Sequence, residues 1–481
     1  MSSAFSFQNS QNYQYVTLPP HSLSVFLSIA DFFADYQGTS LLYSGGDFDS
    51  ARHSLLGLFP FETIEIHGRQ LDYQMGLKIE RKRIENPWNA LQDQFFNRLM
   101  EDPNATAFGW FGYGMGASAD EDHPLPYRPS SLPDAFWQRC AIVLERDHQS
   151  GQTIAQINGS VLDAVEMKAK PWVCSFLTFQ GWKMFLDALP PSIYRYETRI
   201  DSRYLSHCRE RRSLYIDKVM QAQELIREGE IYQVNLSHLF QLHSQRPPFS
   251  FFRQMCELNP APFSVYFRHR DATIVSTSPE RFLCKRGNRL ETRPIKGTIA
   301  RGKTDEEDLF LKKKLLASSK ERAELLMITD LMRNDLGRIS EIGSVKTLDL
   351  WRCEAYTNVF HLISVIQSIA KPKMSPLEII RSAFPGGSIT GCPKLRAMEI
   401  IDELEKRSRG IYTGSIGYIK GQGDFDLNIA IRTLVKNQET YFLQLGSGIV
   451  IDSDPNEEYE ETMSKGDSLF YSLETEEIIC D

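Results

Sequence analysis

TRPIKGT, from Thr292 to Thr298, carries one lysine, Lys296, between an isoleucine and a glycine. The residues before it, 272–290, have the pattern of a strand, a Ser-Pro turn and a second strand. A proline two residues ahead of Lys-Gly is typical of a strand end rather than a helix. Such a lysine, beside a glycine that leaves room for a ligand, is a candidate nucleophile. The common alternative for a single lysine is a solvated surface position.

Outward from this stretch, the pattern predicts an α+β protein whose strand hairpins alternate irregularly with long helices. A polar segment at 190–201 is the best linker, and it divides the chain into regions 1–195 and 203–475. We expect large antiparallel sheets packed as a sandwich with helices outside, the two regions sharing one core. The predicted helices span 21–36, 87–100, 203–228, 304–337 with a break near Ser318, 375–384, 393–404 and 456–473. The predicted strands include 40–44, 106–116, 135–146, 150–158, 231–242, 414–420, 427–435, 440–445 and 449–452.

Composition excludes several classes of protein. The chain has 481 residues, 42% of them apolar and 24% charged, with a formal net charge of −8. That balance is normal for a large globular protein and does not suggest a nucleic-acid-binding face. No run of about 18 apolar residues is present, and the N-terminus lacks the pattern of a signal peptide. The eight cysteines have no CxxC spacing, which fits a reducing cytoplasm better than a zinc site or a disulfide framework.

Two groups of carboxylates are candidate metal ligands. Glu321 and Glu324 lie three residues apart on a predicted helix and therefore share a face. Glu458, Glu460 and Glu461 lie on the last predicted helix, and Lys465 lies one turn beyond Glu461. One or two carboxylates from different helices suit Mg²⁺, which fills its remaining positions with water and substrate oxygens. The alternative is that both groups are solvated helix faces with ordinary ion pairs.

Two further features could bind an anion. PGGSITGCPK, residues 385–394, places glycines and small hydroxyl residues ahead of a helix, where backbone N–H groups can form an anion-binding nest, and Lys394 adds charge. Arg432 lies in the apolar run NIAIRTL, which predicts a strand, and Gly446-Ser447-Gly448 follows the next strand. A guanidinium there could clamp a carboxylate in a bidentate manner.

Eight motifs in order resemble the chorismate-binding enzymes. The resemblance is dense over 205–473 and thinner over 15–195, where LLYSG and GWFGYG resemble the N-terminal region of the family. It implies the α+β fold of chorismate-utilising enzymes. The motifs are SPER, RPIKGT, ERAELLMITDLMRND, PGGSITGCPK with RAMEIIDELE, GSIGY, AIRT, GSGIV with DS, and EYEETMSK.

Within this family, the lysine of PIKGT resembles the aminodeoxychorismate synthase branch, because anthranilate synthases have alanine there. Isochorismate and salicylate synthases use a different lysine to activate water, and the matching position here is Gln233. The resemblance therefore implies a component I that aminates chorismate at C4 for 4-aminobenzoate and folate synthesis. The alternatives are anthranilate synthase component I, a catalytically silent subunit and a pyridoxal-phosphate lysine enzyme.

The resemblance also implies roles for individual residues. Lys296 resembles the nucleophile that adds to C2 of chorismate, and Glu280 resembles the acid that protonates the leaving C4 hydroxyl. Glu324 and Glu461 resemble Mg²⁺ ligands, with Glu458 as a supporting group. The implied substrate contacts are Arg432, Lys465, Gly446, Gly448, His361 and Thr298.

The expected partners are chorismate and a glutaminase, with no nucleic acid and no membrane. No stretch has the G-x-C-x-G elbow of a glutamine amidotransferase, so ammonia would come from a separate subunit or from solution. Two departures from the family are Cys392, where alanine is more usual, and LLYS in place of LLES, which makes feedback by tryptophan doubtful.

Overall fold

Antiparallel strand pairing dominates the fold. The computed structural model describes residues 13–119, 125–162, 175–190, 212–473 and 477–480. Within them, 22 strands form one hydrogen-bonded network, and every strand pair in it is antiparallel. The strands are β1 Tyr13–Thr17, β2 Ser40–Tyr43, β3 His53–His67, β4 Gln70–Met75, β5 Lys78–Arg83, β6 Thr106–Phe111, β7 Ala135–Asp147, β8 Thr153–Asn158, β9 Gln233–His243, β10 Phe263–His269, β11 Ala272–Ser278, β12 Arg281–Arg286, β13 Arg289–Arg293, β14 Ile295–Ala300, β15 Lys346–Ala355, β16 Val359–Ile369, β17 Gly391–Cys392, β18 Ser415–Lys420, β19 Phe425–Asn428, β20 Thr433–Asn437, β21 Thr440–Ile449 and β22 Glu477–Cys480.

The helices pack outside these strands, which confirms the predicted α+β class. They are α1 Leu23–Phe32, α2 Pro87–Leu91, α3 Asn97–Met100, α4 Gly159–Leu162, α5 Phe179–Ala188, α6 Arg212–Arg227, α7 Pro248–Leu258, α8 Asp305–Ala317, α9 Ser319–Ile339, α10 Pro376–Ala383, α11 Lys394–Glu405 and α12 Pro455–Leu473. A π-helical turn, Gln92–Phe96, joins α2 to α3. In the described residues no helix is both long enough and apolar enough to cross a membrane.

Several helix boundaries follow from local capping. Ser318 ends α8 and caps α9 by accepting a hydrogen bond from the Glu321 N–H, so the predicted break near Ser318 is confirmed. Ser375 and Glu378 form a reciprocal capping box at the start of α10, with Pro376 at the first helical position. Such caps satisfy backbone donors that the helix leaves unpaired.

The N-terminal and C-terminal regions contribute strands to the same sheets. β2 pairs with β10, and β6 pairs with β18. One hydrophobic core therefore combines Phe26 and Phe33 with Tyr441 and Leu445, and all four side chains are buried. The predicted linker lies outside the described residues beyond position 190, as does the start of the predicted helix at 203.

Two strand predictions were wrong. The predicted strand 427–435 is two strands, β19 and β20, because the chain turns between Ile429 and Arg432, where Arg432 has a φ of +49°. The predicted strands 440–445 and 449–452 are one, β21, which ends at Ile449 and pairs with β9 along its whole length. The glycines at 446 and 448 had indicated a break, but here they lie inside the strand.

Candidate active site

Lys296 projects from a bulge in β14. Lys296 lies opposite Leu362 and Thr298 lies opposite His361, so Gly297 is the extra residue of the bulge. Its φ of +79° is in the left-handed region that glycine adopts without strain. A Cβ placed on Gly448 would lie 2.6 Å from the Lys296 Nζ. The amine therefore reaches across to β21, and within the described part of the chain it makes no hydrogen bond or ion pair.

Gln233 shares this position with Lys296. The same Cβ on Gly448 would lie 2.8 Å from the Gln233 Nε2. The Gln233 side chain is 1% exposed, and neither of its amide atoms has a hydrogen-bond partner among the described residues. Buried polar groups are normally paired, so an unpaired amide beside a free amine marks a place for a polar ligand.

Glu280 lies just before β12 and is buried. Its main chain is held by the Ile429 N–H, which donates to the Glu280 carbonyl at 3.0 Å. The hydroxyl of Ser388 donates to the Glu280 Oε1 at 2.6 Å. Burial raises the pKa of Glu280 to about 7, although Ser388 and Lys296 act in the opposite direction. A carboxyl group with that pKa holds a proton near neutral pH and can give it up, as a general acid must.

The buried ion pairs of Arg281 fix this end of β12. Its guanidinium donates to Asp426 at 2.9 and 2.7 Å and to Glu291 at 2.5 Å. These bonds tie β12 to β19 and β13 on either side. Glu280, the next residue, is therefore presented on a backbone that three strands hold in place.

Three glutamates lie near the Lys296 amine, Glu321 and Glu324 on α9 and Glu461 on α12. Burial raises the pKa of both Glu321 and Glu324, and neighbouring carboxylates add to the rise. Burial would also raise the pKa of Glu461, but Lys465, 2.6 Å away, brings it below its ordinary value. Glu458 accepts a hydrogen bond from the Ser453 hydroxyl at 2.7 Å. The arrangement concentrates negative charge, which a cation would offset.

These carboxylates fit Mg²⁺ as partial ligands. Among the described residues no three acidic, histidine or cysteine side chains converge into a ready metal cage. Mg²⁺ does not need one, because it keeps several waters and uses one or two carboxylates. Glu324 and Glu461, one from each helix, can supply these, and the mutual repulsion of Glu321, Glu324 and Glu461 favours a cation between the helices.

Arg432 and His361 are in contact with each other in the candidate site. Arg432 NH2 lies 3.5 Å from the His361 Nε2, and burial lowers the pKa of Arg432. Burial and the Arg432 charge lower the pKa of His361 to about 3, so the imidazole is neutral at physiological pH. Its Nδ1 lies 2.8 Å from the Thr298 Oγ1. Thr298, His361 and Arg432, all predicted substrate contacts, therefore lie together. Arg432 lies on a turn and not inside the strand that its sequence context had predicted.

Lys465 links α12 to β21, the strand that contains Gly446 and Gly448. Its Nζ donates to the Gly446 carbonyl at 3.0 Å while it pairs with Glu461. Gly446 and Gly448 lie opposite Ser237 and Asn235 of β9. A Cβ at Gly446 would lie 2.5 Å from the Leu236 carbonyl oxygen and 2.8 Å from the Tyr412 hydroxyl, so a side chain does not fit there.

The prediction that Lys394 adds free charge to an anion nest was wrong. The Lys394 Nζ donates to the buried Asp335 carboxylate at 2.7 Å and to the Ala383 carbonyl at 2.9 Å. Its charge is therefore already paired, and it ties α11 to α9 and α10. From the same segment, the Ser388 hydroxyl reaches the Glu280 carboxyl.

One residue of the site, Ser388, was not identified from the sequence. Glu321, a candidate metal ligand from the sequence, lies next to the bulge that carries Lys296, because its carboxylate is 2.9 Å from a Cβ placed on Gly297. Ser388 carried no distinct signal, because a serine in a glycine-rich turn usually serves the turn itself.

Comparison with known proteins identifies relatives over nearly the whole chain. The chorismate binding enzyme family matches residues 51–471. Aminodeoxychorismate synthase component 1 of Bacillus subtilis is 34% identical, with 89% of this chain and 90% of the relative covered. Anthranilate synthase component 1 of Cereibacter sphaeroides is 33% identical, with 93% and 91% covered. The crystal structure of anthranilate synthase component I from Streptococcus pneumoniae superimposes with a TM-score of 0.69 at 28% identity, covering 88% of this chain and 93% of that one.

Proposed function

The chain belongs to the family of chorismate-binding enzymes, and from that premise we propose that it is an aminodeoxychorismate synthase component I. The reaction is the replacement of the C4 hydroxyl of chorismate by an amino group, with ammonia as the nitrogen source. The product would supply 4-aminobenzoate and folate synthesis in the cytoplasm. Overall identity does not separate this reaction from anthranilate synthesis, because relatives of both names are about equally similar.

The observation that carries the proposal is the position of the Lys296 amine. It lies next to Gly448 and Gln233, and its charge acts on Glu280, Glu324 and Glu461. A lysine in the middle of the site, free of any partner in the described structure, is placed to act as a nucleophile. The anthranilate branch has alanine at this position and cannot use an amine there.

The proposed chemistry runs in two displacements. The free amine of Lys296 attacks C2, the ring double bond shifts, and the C4 hydroxyl leaves. Glu280 gives its proton to that hydroxyl, so water departs and Glu280 becomes a carboxylate. Ammonia then attacks C4, the double bond returns, and Lys296 is expelled from C2. The new ammonium group at C4 gives one proton back to the Glu280 carboxylate, and cleavage of the C2–N bond restores the Lys296 amine. The net change is therefore chorismate plus ammonia to 4-amino-4-deoxychorismate plus water.

The dianionic substrate must be held against the acidic helices. Arg432 and Lys465 provide two cations for its carboxylates. Mg²⁺ bound by Glu324 and Glu461, with Glu458 behind them, would supply further positive charge at a substrate carboxylate. Thr298 orients the neutral His361 toward the ring, and Gly446 and Gly448 leave space for it on β21.

Ammonia needs a binding position close to C4. Gln233, whose amide lies beside Lys296, has a donor and an acceptor that can bind ammonia but no basic group, so it cannot deprotonate water. We assign ammonia delivery to a separate glutaminase subunit.

Product identification tests the proposal. The chain is incubated with chorismate, Mg²⁺ and ammonium, and the products are separated and analysed by mass spectrometry. We expect 4-amino-4-deoxychorismate without pyruvate. Fluorescent anthranilate together with pyruvate would establish the second candidate, which the similarity to the Cereibacter sphaeroides enzyme supports. No turnover at high ammonium would indicate a silent subunit.

A further inference from the structure

Ser388 makes a direct contact with the carboxyl of Glu280. The Ser388 hydroxyl donates to the Glu280 Oε1 at 2.6 Å, and both side chains are buried, at 6% and 4% exposure. We propose that Ser388 is a positioning residue that fixes the Glu280 carboxyl, occupying Oε1 so that Oε2 carries the proton given to the leaving hydroxyl. This inference rests on the proposed amination, in which Glu280 is the acid.

The turn that carries Ser388 is held firmly. It is a 3₁₀ turn, Gly387–Ile389, and the Thr390 hydroxyl closes it by donating to the Gly386 carbonyl at 2.9 Å. A Cβ at Gly386 would lie 2.7 Å from the Ile429 Cδ1, and one at Gly387 would collide with Leu331. The two glycines therefore let the turn fit between α9 and the segment after β19. This close packing accounts for the two glycines of PGGS.

Charged and polar groups from several elements surround the Glu280 carboxyl. Lys296 on β14 and Lys465 on α12 face it as cations, and the Ile295 N–H also donates to its carboxyl. Tyr356, in the turn between β15 and β16, interacts with it too, and burial raises the pKa of that phenol. Among the described residues, Ser388 is the only side chain that donates a hydrogen bond to this carboxyl.

The hydrogen bond from Ser388 determines whether loss of that hydroxyl raises or lowers the pKa of Glu280. A donor to a carboxylate stabilises the charged form and so lowers the pKa. Removing the hydroxyl should therefore raise the pKa of Glu280 above about 7 by about one unit, the size expected for one hydrogen bond to a charged group. The alkaline limb of the pH–rate profile should move up by the same amount, while the maximal rate falls because the acid is weaker and less well oriented.

The test is a titration combined with kinetics. Glutamate δ-carbons are labelled with ¹³C, and the Glu280 resonance is assigned by its loss in Glu280→Gln. We expect Ser388→Ala to raise the pKa of Glu280 and to move the alkaline limb of kcat, and Ser388→Thr, which keeps the hydroxyl, to restore both. Ser415→Ala is the control, because Ser415 is also buried but donates to the Asn428 carbonyl instead; it should leave both unchanged.

Each outcome decides the matter. An unchanged Glu280 titration in folded Ser388→Ala would overturn the proposal. If Ser388→Ala does not fold, Ser388→Cys replaces it as the test, because a thiol has a similar size but is a weak donor. Ser388→Cys should raise the pKa of Glu280, and an unchanged pKa would also overturn the proposal. The titration needs no turnover. A chain that made anthranilate would disprove the amination while leaving the link between Ser388 and Glu280 to be decided separately.

Discussion

Lys296 and Glu280 show how two side chains acquire opposite duties in one pocket. The lysine lies on a bulge beside an acidic surface, and the glutamate is buried next to a serine. Burial raises the pKa of Glu280 to about 7, which suits an acid, and the unpaired Lys296 amine is placed to react. At this scale the predictions concern covalent bond formation and titration.

Replacing Lys296 by alanine should abolish the covalent route. We expect amination to fall by at least about 10³-fold, because loss of a nucleophile leaves only binding and electrostatic contributions. Chorismate incubated without ammonia should leave a mass adduct on Lys296 in the parent protein and none in Lys296→Ala. Lys313→Ala, an exposed lysine on α8, is the matched control and should retain full activity. Full activity in Lys296→Ala would remove the amine from the mechanism.

Glu280 should make stability depend on pH. Its pKa is about 7 in the folded chain against 4.5 for an ordinary glutamate. Between these values the folded state holds a proton that the unfolded state has lost, so stability declines as pH rises through about 7. Glu280→Gln, which mimics the protonated form, should be more stable than the parent at pH 8, by up to about 3 kcal/mol. Urea titration at pH 5 and pH 8 measures the free energy of unfolding of both proteins. The difference in stability between Glu280→Gln and the parent should be smaller at pH 5 than at pH 8.

At the scale of elements, the bulge in β14 controls where Lys296 points. Gly297→Ala places a Cβ at a φ of +79° and 2.9 Å from the Glu321 carboxylate. We expect a loss of stability of about 1–2 kcal/mol and a marked loss of amination. Gly287→Ala is the control, since its φ is +60° but open space surrounds it. Gly287→Ala should introduce similar backbone strain but keep full activity. If Gly287→Ala and Gly297→Ala lost the same activity, the bulge would have no specific role.

The facing helices α9 and α12 should bind Mg²⁺ together. Added Mg²⁺ should raise the Tm of the protein, and this shift should disappear in Glu324→Gln or Glu461→Gln. The shift should weaken as pH falls, because protons compete for Glu324, whose pKa burial has raised. Glu460→Gln, an exposed neighbour paired with Arg212, is the control. A Tm shift that survives in both site variants would place the metal elsewhere.

At the scale of the whole molecule, the two regions should unfold as one cooperative unit. β2–β10 and β6–β18 pair across them, and both contribute to one core. Calorimetry should show a single transition in which the calorimetric and van't Hoff enthalpies agree. Leu41→Ala, at a fully buried position on β2, should lower that Tm without splitting it. Leu77→Ala, at a position 92% exposed, is the control. Two resolved transitions would show separate domains.

The amino-acid sequence alone determined the α+β class, most helix ends, the motifs and most of the residues that meet in the site. These depend on local periodicity, on caps such as Ser318 and Ser375, and on residue types that only certain chemistry needs. Only the tertiary structure decided that Arg432 lies on a turn, that Lys394 is paired with Asp335, and that Ser388 reaches Glu280. Each of those facts depends on a partner far away in the sequence, and one-dimensional spacing carries no information about such a partner.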